Sequence, residues 1–240
     1  MRIGCIQLIS SREIPLNKYL IKQPAGIGDI IFCQKIAKTL QDRGHTIYWP
    51  VLPVIDYISS YIKLDGLGVP MGSVDRTAEL IDLDSSHSKL GGGILTSKYS
   101  YAGLDWRGWQ EYVTFVRNYD RERELYRILN PNDEDYIIVN NNCGTPPNTV
   151  KYNIPYPKNS NIKVIPMTII DKYTVFDWCL LLEKAKAIYT IDTSINYITE
   201  FLNLEADNLE VYSRYNPSNF SHIEGLWTNV DWKYKEWQNI

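Results

Sequence analysis

The chain is poor in what a metal centre, a disulfide framework or a membrane span requires. It carries four cysteines and three histidines in 240 residues. Cys5, Cys33, Cys143 and Cys179 are far apart with no Cys-x-x-Cys pair, which fits reduced thiols better than a disulfide framework or a zinc site. His45, His87 and His222 are equally scattered, so no metal ligand set is expected. No apolar run approaches the roughly 20 residues needed to cross a bilayer. The opening MRIGCIQLIS is interrupted too early to read as a signal peptide. The expectation is a cytoplasmic protein without a transmembrane segment. Excess positive charge is also missing: 25 Lys and Arg stand against 28 Asp and Glu, for a net charge of −3. That argues against general binding to a nucleic-acid backbone, which calls for a basic surface. A local basic patch is still enough to hold one diphosphate.

What is present in quantity is aromatic, with 18 Tyr and 7 Trp. Such side chains line sugar sites and also fill cores. Along the chain, strand-like runs alternate with helical ones. Tyr19 to Lys22 reads as a strand, followed by a Gly-rich turn and a helix from about Asp29 to Asp42. In that helix Ile30, Ile31, Cys33, Ile36, Ala37 and Leu40 recur at helical spacing. Gly44 suits its end. Thr46 to Val51 is expected as a strand, Pro53 to Ile62 as a short helix, and Leu80 to Leu83 and Ile94 to Ser97 as strands. Asp105 to Leu129 reads as one long amphipathic helix. After the turn Asn130-Pro131-Asn132-Asp133 the alternation restarts, with strands at Tyr136–Asn140, Ile162–Pro166, Ala187–Ile191 and Leu209–Tyr212. Helices are expected at Phe176–Ala185 and Ser194–Leu202. The pattern predicts the α/β class, as two small Rossmann-like, doubly wound lobes facing a cleft. The boundaries are 1–132 and 133–240, with the tail 227–240 packing back on the first lobe.

Three segments carry candidate chemistry. Pro24 to Ile31 joins the first strand to the first helix; Gly26 and Gly28 let backbone approach a ligand, and Asp29 opens the helix. A tight turn with Asp29 as cap explains the same residues. The third glycine of a dinucleotide fingerprint is missing, since Ile31 occupies its place, and no Gly-Lys-Ser/Thr follows. Ala187 to Asn196 runs from a buried strand into Asp192, Thr193, Ser194 and Asn196 at a helix start, where hydroxyls and N–H groups suit a diphosphate or simply cap the helix. Val139 to Pro147 is a polar loop carrying Asn140 and Thr145 and leading to Lys151. Arg214 follows the last of these strands and suits the same anion.

Taken in order, Gly26-Ile-Gly-Asp29-Ile-Ile-Phe32, then Val175-Phe-Asp-Trp178, Glu183 to Ile188, and Ile191-Asp192-Thr193-Ser194 resemble the heptosyltransferase-like glycosyltransferases of family 9, whose fold is GT-B. The blocks cover about a third of the chain. Where that family has Gly-x-x-His after its Asp-Ser/Thr pair, this chain has Ile195-Asn196-Tyr197-Ile198. The resemblance implies an inverting, metal-independent transfer from a nucleotide-diphosphate sugar to a glycan or other hydroxyl acceptor, with no resident cofactor. It implies an acceptor-side first lobe, a donor-side second lobe, and Asp29 as general base. Gly26, Gly28, Asn140, Thr145, Lys151, Asp192, Thr193, Ser194, Asn196 and Arg214 are then candidates for the donor side. The alternatives are a catalytically inactive nucleotide-sugar or glycan-binding protein, a nicotinamide-dependent oxidoreductase, and a metal-dependent GT-A transferase. The last would use Asp82 and Asp84, which alternation places on one face of a strand.

Overall fold

The computed structural model describes residues 16–86, 94–144, 148–158, 161–215 and 218–236. The first half holds β1 (Lys18–Lys22), α1 (Ile27–Phe32), α2 (Gln34–Asp42), β2 (Thr46–Tyr48), α3 (Ile58–Tyr61), β3 (Glu79–Asp82), α4 (Ile94–Tyr101) and α5 (Tyr119–Leu129). The second half holds β4 (Tyr136–Asn140), β5 (Asn142–Cys143), β6 (Val150–Lys151), β7 (Lys163–Pro166), α6 (Cys179–Lys184), β8 (Ala187–Ile191), α7 (Ser194–Thr199), β9 (Asn208–Tyr212) and β10 (Lys233–Lys235). β2-β1-β3 form a three-stranded sheet and β10-β9-β8-β4-β7 a five-stranded one. Pairing within both is parallel, and β5 and β6 make a separate antiparallel pair. This is the α/β class expected. β4 and β8 are buried along their whole length, as strands covered on both faces must be.

Three elements depart from the sequence expectation. The helix over 29–42 is broken at Cys33. There the Phe32 carbonyl accepts a 2.5 Å bond from the Tyr99 hydroxyl, a partner far along the chain. Ile94 to Ser97 belongs to helix α4; short apolar runs do not by themselves separate buried strand from buried helix. Asp105 to Leu129 is not one helix. Gly108 takes a left-handed conformation (φ 68°) before a single 3-10 turn at Trp109–Tyr112. Next the chain runs extended, with Lys63 N–H on Thr114 O and Val116 N–H on Tyr61 O. Only then does Asn118 cap α5, its side chain accepting from the Arg121 N–H. Antiparallel pairing with Tyr61–Lys63, at and just past the end of α3, therefore wins over the local helical period.

The two sheets share one core. Tyr61 stacks on Phe176 with ring centroids 4.6 Å apart, and Phe115 contacts both Phe176 and Phe201. Trp109 contacts Phe32, Tyr197 and Phe201. Much of the aromatic complement is thus a seam between the halves, where edge and offset contacts add to simple burial. Asp177 reinforces it: its carboxylate accepts from Tyr61 OH (2.7 Å), Arg121 Nε (3.0 Å) and Thr174 N–H (2.7 Å). The C-terminal stretch also binds both halves. Trp109 Nε1–H donates to Leu226 O at 2.8 Å, Trp227 packs on Tyr197, and β10 extends the larger sheet.

Candidate functional site

α1 and α7 meet where the halves join. A Cβ on Gly28 would lie 2.8 and 2.9 Å from the Tyr197 ring and 3.4 Å from Ser194 Cα. Gly28 is therefore the point that lets one helix lie against the other. It brings the amino ends of the two helices into the lining of one cleft of about 630 Å³. Gly26, Gly28 and Asp29 line it from the first half, Asn140, Asp192, Thr193, Ser194 and Arg214 from the second, and Ile223 and Trp227 of the C-terminal stretch join them. Eight of the eleven site residues expected from sequence thus share one cavity.

The others do not. Lys151 is exposed on β6 and is not among the residues lining the cleft, although its strand pairs with Asn142–Cys143, which are. Asn196 is fully buried, and its Oδ1 accepts the Thr193 N–H at 3.0 Å, closing a capping box with Thr193. It serves the helix start and does not line the cavity. Thr145 lies outside the described residues.

The capping box also limits what the second wall can offer an anion. The Thr193 N–H is committed to Asn196, and Thr193 Oγ1 accepts from Asn140 Nδ2 (3.0 Å) and the Ile195 N–H (3.4 Å). Asn140 is in turn anchored to Thr190 Oγ1 at 2.9 Å. α1 and α7 are six residues each, so the partial charge at their amino ends is smaller than that of a full helix. Groups left for a ligand are the Ser194 hydroxyl, the Thr193 hydroxyl hydrogen and, above all, the Arg214 guanidinium.

Arg214 is held from beneath by Asp192. Asp192, 2 % exposed, accepts the Arg214 backbone N–H through Oδ1 at 2.7 Å. Its Oδ2 lies 2.8 Å from His222 Nε2 and 3.7 Å from Arg214 Nε. Asp192 thus orients two basic side chains and has no oxygen to spare for a ligand. Burial works against the Arg214 charge, yet Asp192 and the Cys143 sulfur, 3.2 Å from Nη1, hold its pKa above the ordinary arginine value. The Tyr57 phenol on the cleft wall is pushed up to about 12 by burial and stays a neutral hydrogen-bond donor.

In the first-half part of the lining, Gly26 adopts φ 80°, and a side chain there would fall 2.6 Å from Asp29 Oδ2. Asp29 Oδ1 is 3.2 Å from the Nζ of Lys98, whose side chain is 3 % exposed. Sequence reading missed Lys98 because it follows Ile94–Ser97, expected as a strand, whereas the structure makes the whole stretch helix α4. It missed His222 because nothing in the order of residues ties the tail to Asp192. Neither Asp82 nor Asp84 lines this cleft. Hydrogen bonds from Ser85, joined by Lys22, hold Asp82 down to about 2 against its partial burial. Among the described residues no group of three or more His, Cys, Asp or Glu is placed to hold a metal ion, and no helix is long and apolar enough to cross a membrane.

No family model matches the chain, and no curated protein matches it in sequence. Its backbone is similar to the iron-containing dodecameric glycosyltransferase TibC from enterotoxigenic E. coli, with a TM-score of 0.48 and 10 % identity over 87 % of this chain. The same values hold for dodecameric iron-containing heptosyltransferase TibC in complex with ADP-D-β-D-heptose. The chain spans 61 % of the length of each. A glycosyl transferase family 9 protein from Veillonella parvula gives a TM-score of 0.45 at 8 % identity, covering 93 % of this chain and 87 % of that one.

Proposed function

We propose that this chain is a glycosyltransferase of the GT-B type that moves a sugar from a nucleotide-diphosphate donor to an acceptor hydroxyl, with inversion and without a metal. The observation that supports it is that Asp29 lines the same cleft as Ser194, Thr193 and Arg214. In this reading residues 1–132 form the acceptor side and 133–240 the donor side. An acceptor hydroxyl passes its proton to Asp29 as its oxygen attacks the anomeric carbon. The bond from that carbon to the diphosphate oxygen breaks on the opposite face, which inverts the centre. The electron pair leaves with the diphosphate, and Arg214 and the Ser194 hydroxyl stabilise the charge that gathers there.

Thermal-shift screening with UDP-, GDP-, ADP- and CMP-sugars, with and without EDTA, tests the donor class. The expected result is stabilisation by one nucleotide-diphosphate sugar that persists in EDTA. Stabilisation by NAD⁺ alone defeats the proposal. With the donor known, Asp29→Asn removes the base and keeps the shape, so transfer falls by roughly 10²–10⁴-fold while donor affinity stays within about twofold. Transfer at the parental rate removes Asp29 from the mechanism.

A further inference from the structure

A buried lysine is an expensive thing to place in a core, because an ammonium group loses its hydration and must recover it from protein acceptors. Lys98 is 2 % exposed. Its ammonium has three partners: it donates to Gln23 Oε1 at 2.5 Å and Leu83 O at 3.0 Å, and it forms an ion pair with Asp29 Oδ1 at 3.2 Å. Two of these come from the strand ends beneath the cleft and the third is the carboxylate that lines it. The same network reaches the glycine turn. Gln23 Nε2 donates to Ala25 O at 2.6 Å, and Gln23 O accepts from Trp49 Nε1 at 3.0 Å. Lys98 thus ties together the end of β1, the end of β3, the turn before α1 and the Asp29 side chain.

The consequence is directional. With Oδ1 bound to the buried ammonium, the second oxygen, Oδ2, stands over Gly26 in the space a side chain at that position would fill. Both Gly26 and Asp29 line the cavity. One oxygen of Asp29 is anchored inward and the other is left beside the opening.

We propose that Lys98 is a positioning residue, gripping Asp29 by Oδ1 so that Oδ2 is presented to the acceptor hydroxyl. The inference rests on the reading of Asp29 as the base. Lys98 touches neither substrate and takes no proton. Its contribution is to hold the carboxylate where transfer requires it, and misplacement of a catalytic group by about 1 Å costs on the order of 10²-fold in rate.

The test uses Lys98→Met and Lys98→Arg in the full chain, with release of nucleotide diphosphate from the preferred nucleotide sugar as the readout. Lys98→Met is expected to lower kcat by roughly 10–100-fold with the donor KM within about twofold, since the donor wall is untouched. Lys98→Arg, which keeps the charge, is expected to recover a clear part of the loss. Unchanged kcat in Lys98→Met, or parallel losses in kcat and donor affinity, overturns the proposal. Should that variant fold poorly, Gln23→Glu offers the ammonium a competing carboxylate at nearly constant volume, and the same split in kcat and KM is expected. A crystal structure of Lys98→Met, or of Gln23→Glu, supplies a readout that does not depend on turnover: the Asp29 carboxylate should leave its position over Gly26. If it stays, the proposal fails. If the parent protein turns over no nucleotide sugar, the glycosyl-transfer reading falls by itself, and the position of Asp29 in the variant still decides the role of Lys98.

Discussion

Replacing Gly28 by alanine separates helix propensity from tertiary packing, because the two predict opposite signs. Gly28 is a helical residue with no left-handed φ requirement. Propensity alone says that alanine stabilises, by up to about 1 kcal/mol in a helix interior and less near the first turn, where Gly28 sits. Packing says otherwise. The new methyl carbon would stand 2.8 Å from Tyr197 Cδ2 and 2.9 Å from Cε2, closer than real Cβ contacts allow. Tyr197 has little room to retreat. It is 4 % exposed and packed among Phe32, Trp109 and Trp227. Overpacking of this kind costs about 1–3 kcal/mol. After the propensity gain, a net loss of roughly 0.5–2 kcal/mol remains. For a chain of this size that lowers Tm by about 1–8 °C. Thermal unfolding by circular dichroism reads it directly, and Gly28→Val should lose more. A Gly28→Ala protein that melts at or above the parental temperature refutes the argument, because the two helices would then have slack between them.

Two further outcomes follow from the same contacts. Arg214→Met removes the principal cation of the donor wall; charge-assisted hydrogen bonds contribute about 1.5–3 kcal/mol, so nucleotide-diphosphate affinity measured by calorimetry should fall roughly 10–100-fold, and unchanged affinity would take Arg214 out of the site. The Asp177 pair should show itself in the pH dependence of stability. Burial tends to raise the Asp177 pKa, but bonds from Arg121, the Thr174 N–H and Tyr61 outweigh it and hold the folded value below the ordinary 3.8. A depressed folded pKa contributes stability that is present above the unfolded value and lost as pH falls through the folded one. Denaturant midpoints should therefore drop more steeply below about pH 4 in the parent than in Asp177→Asn. Parallel curves would show that the network carries no such linkage.

The sequence by itself determined the elements whose information is local. β4 and β8 are short, mostly apolar runs bounded by polar turns, as strands buried on both faces are written, while β1 and β9 mix apolar and polar residues and are only partly buried. The turn at Gly26 and Gly28 and the hydroxyl pair Thr193-Ser194 were legible for the same reason, since each is a contiguous motif at a strand-to-helix junction. Tertiary structure alone decided what each residue at those junctions does. Asp192 and Asn196 stand in the motif beside Thr193, yet one carboxylate is consumed by Arg214 and His222 and the other side chain by its own helix start. Helical periodicity over 105–129 gave way to backbone bonds with Tyr61 and Lys63. Lys98 acquires its place only when Gln23, 75 positions earlier, folds over it. Periodicity and propensity record a residue's neighbours along the chain, whereas the orientation of a charged group is set by what surrounds it in space, and that is settled only when the two sheets close on their shared aromatic seam.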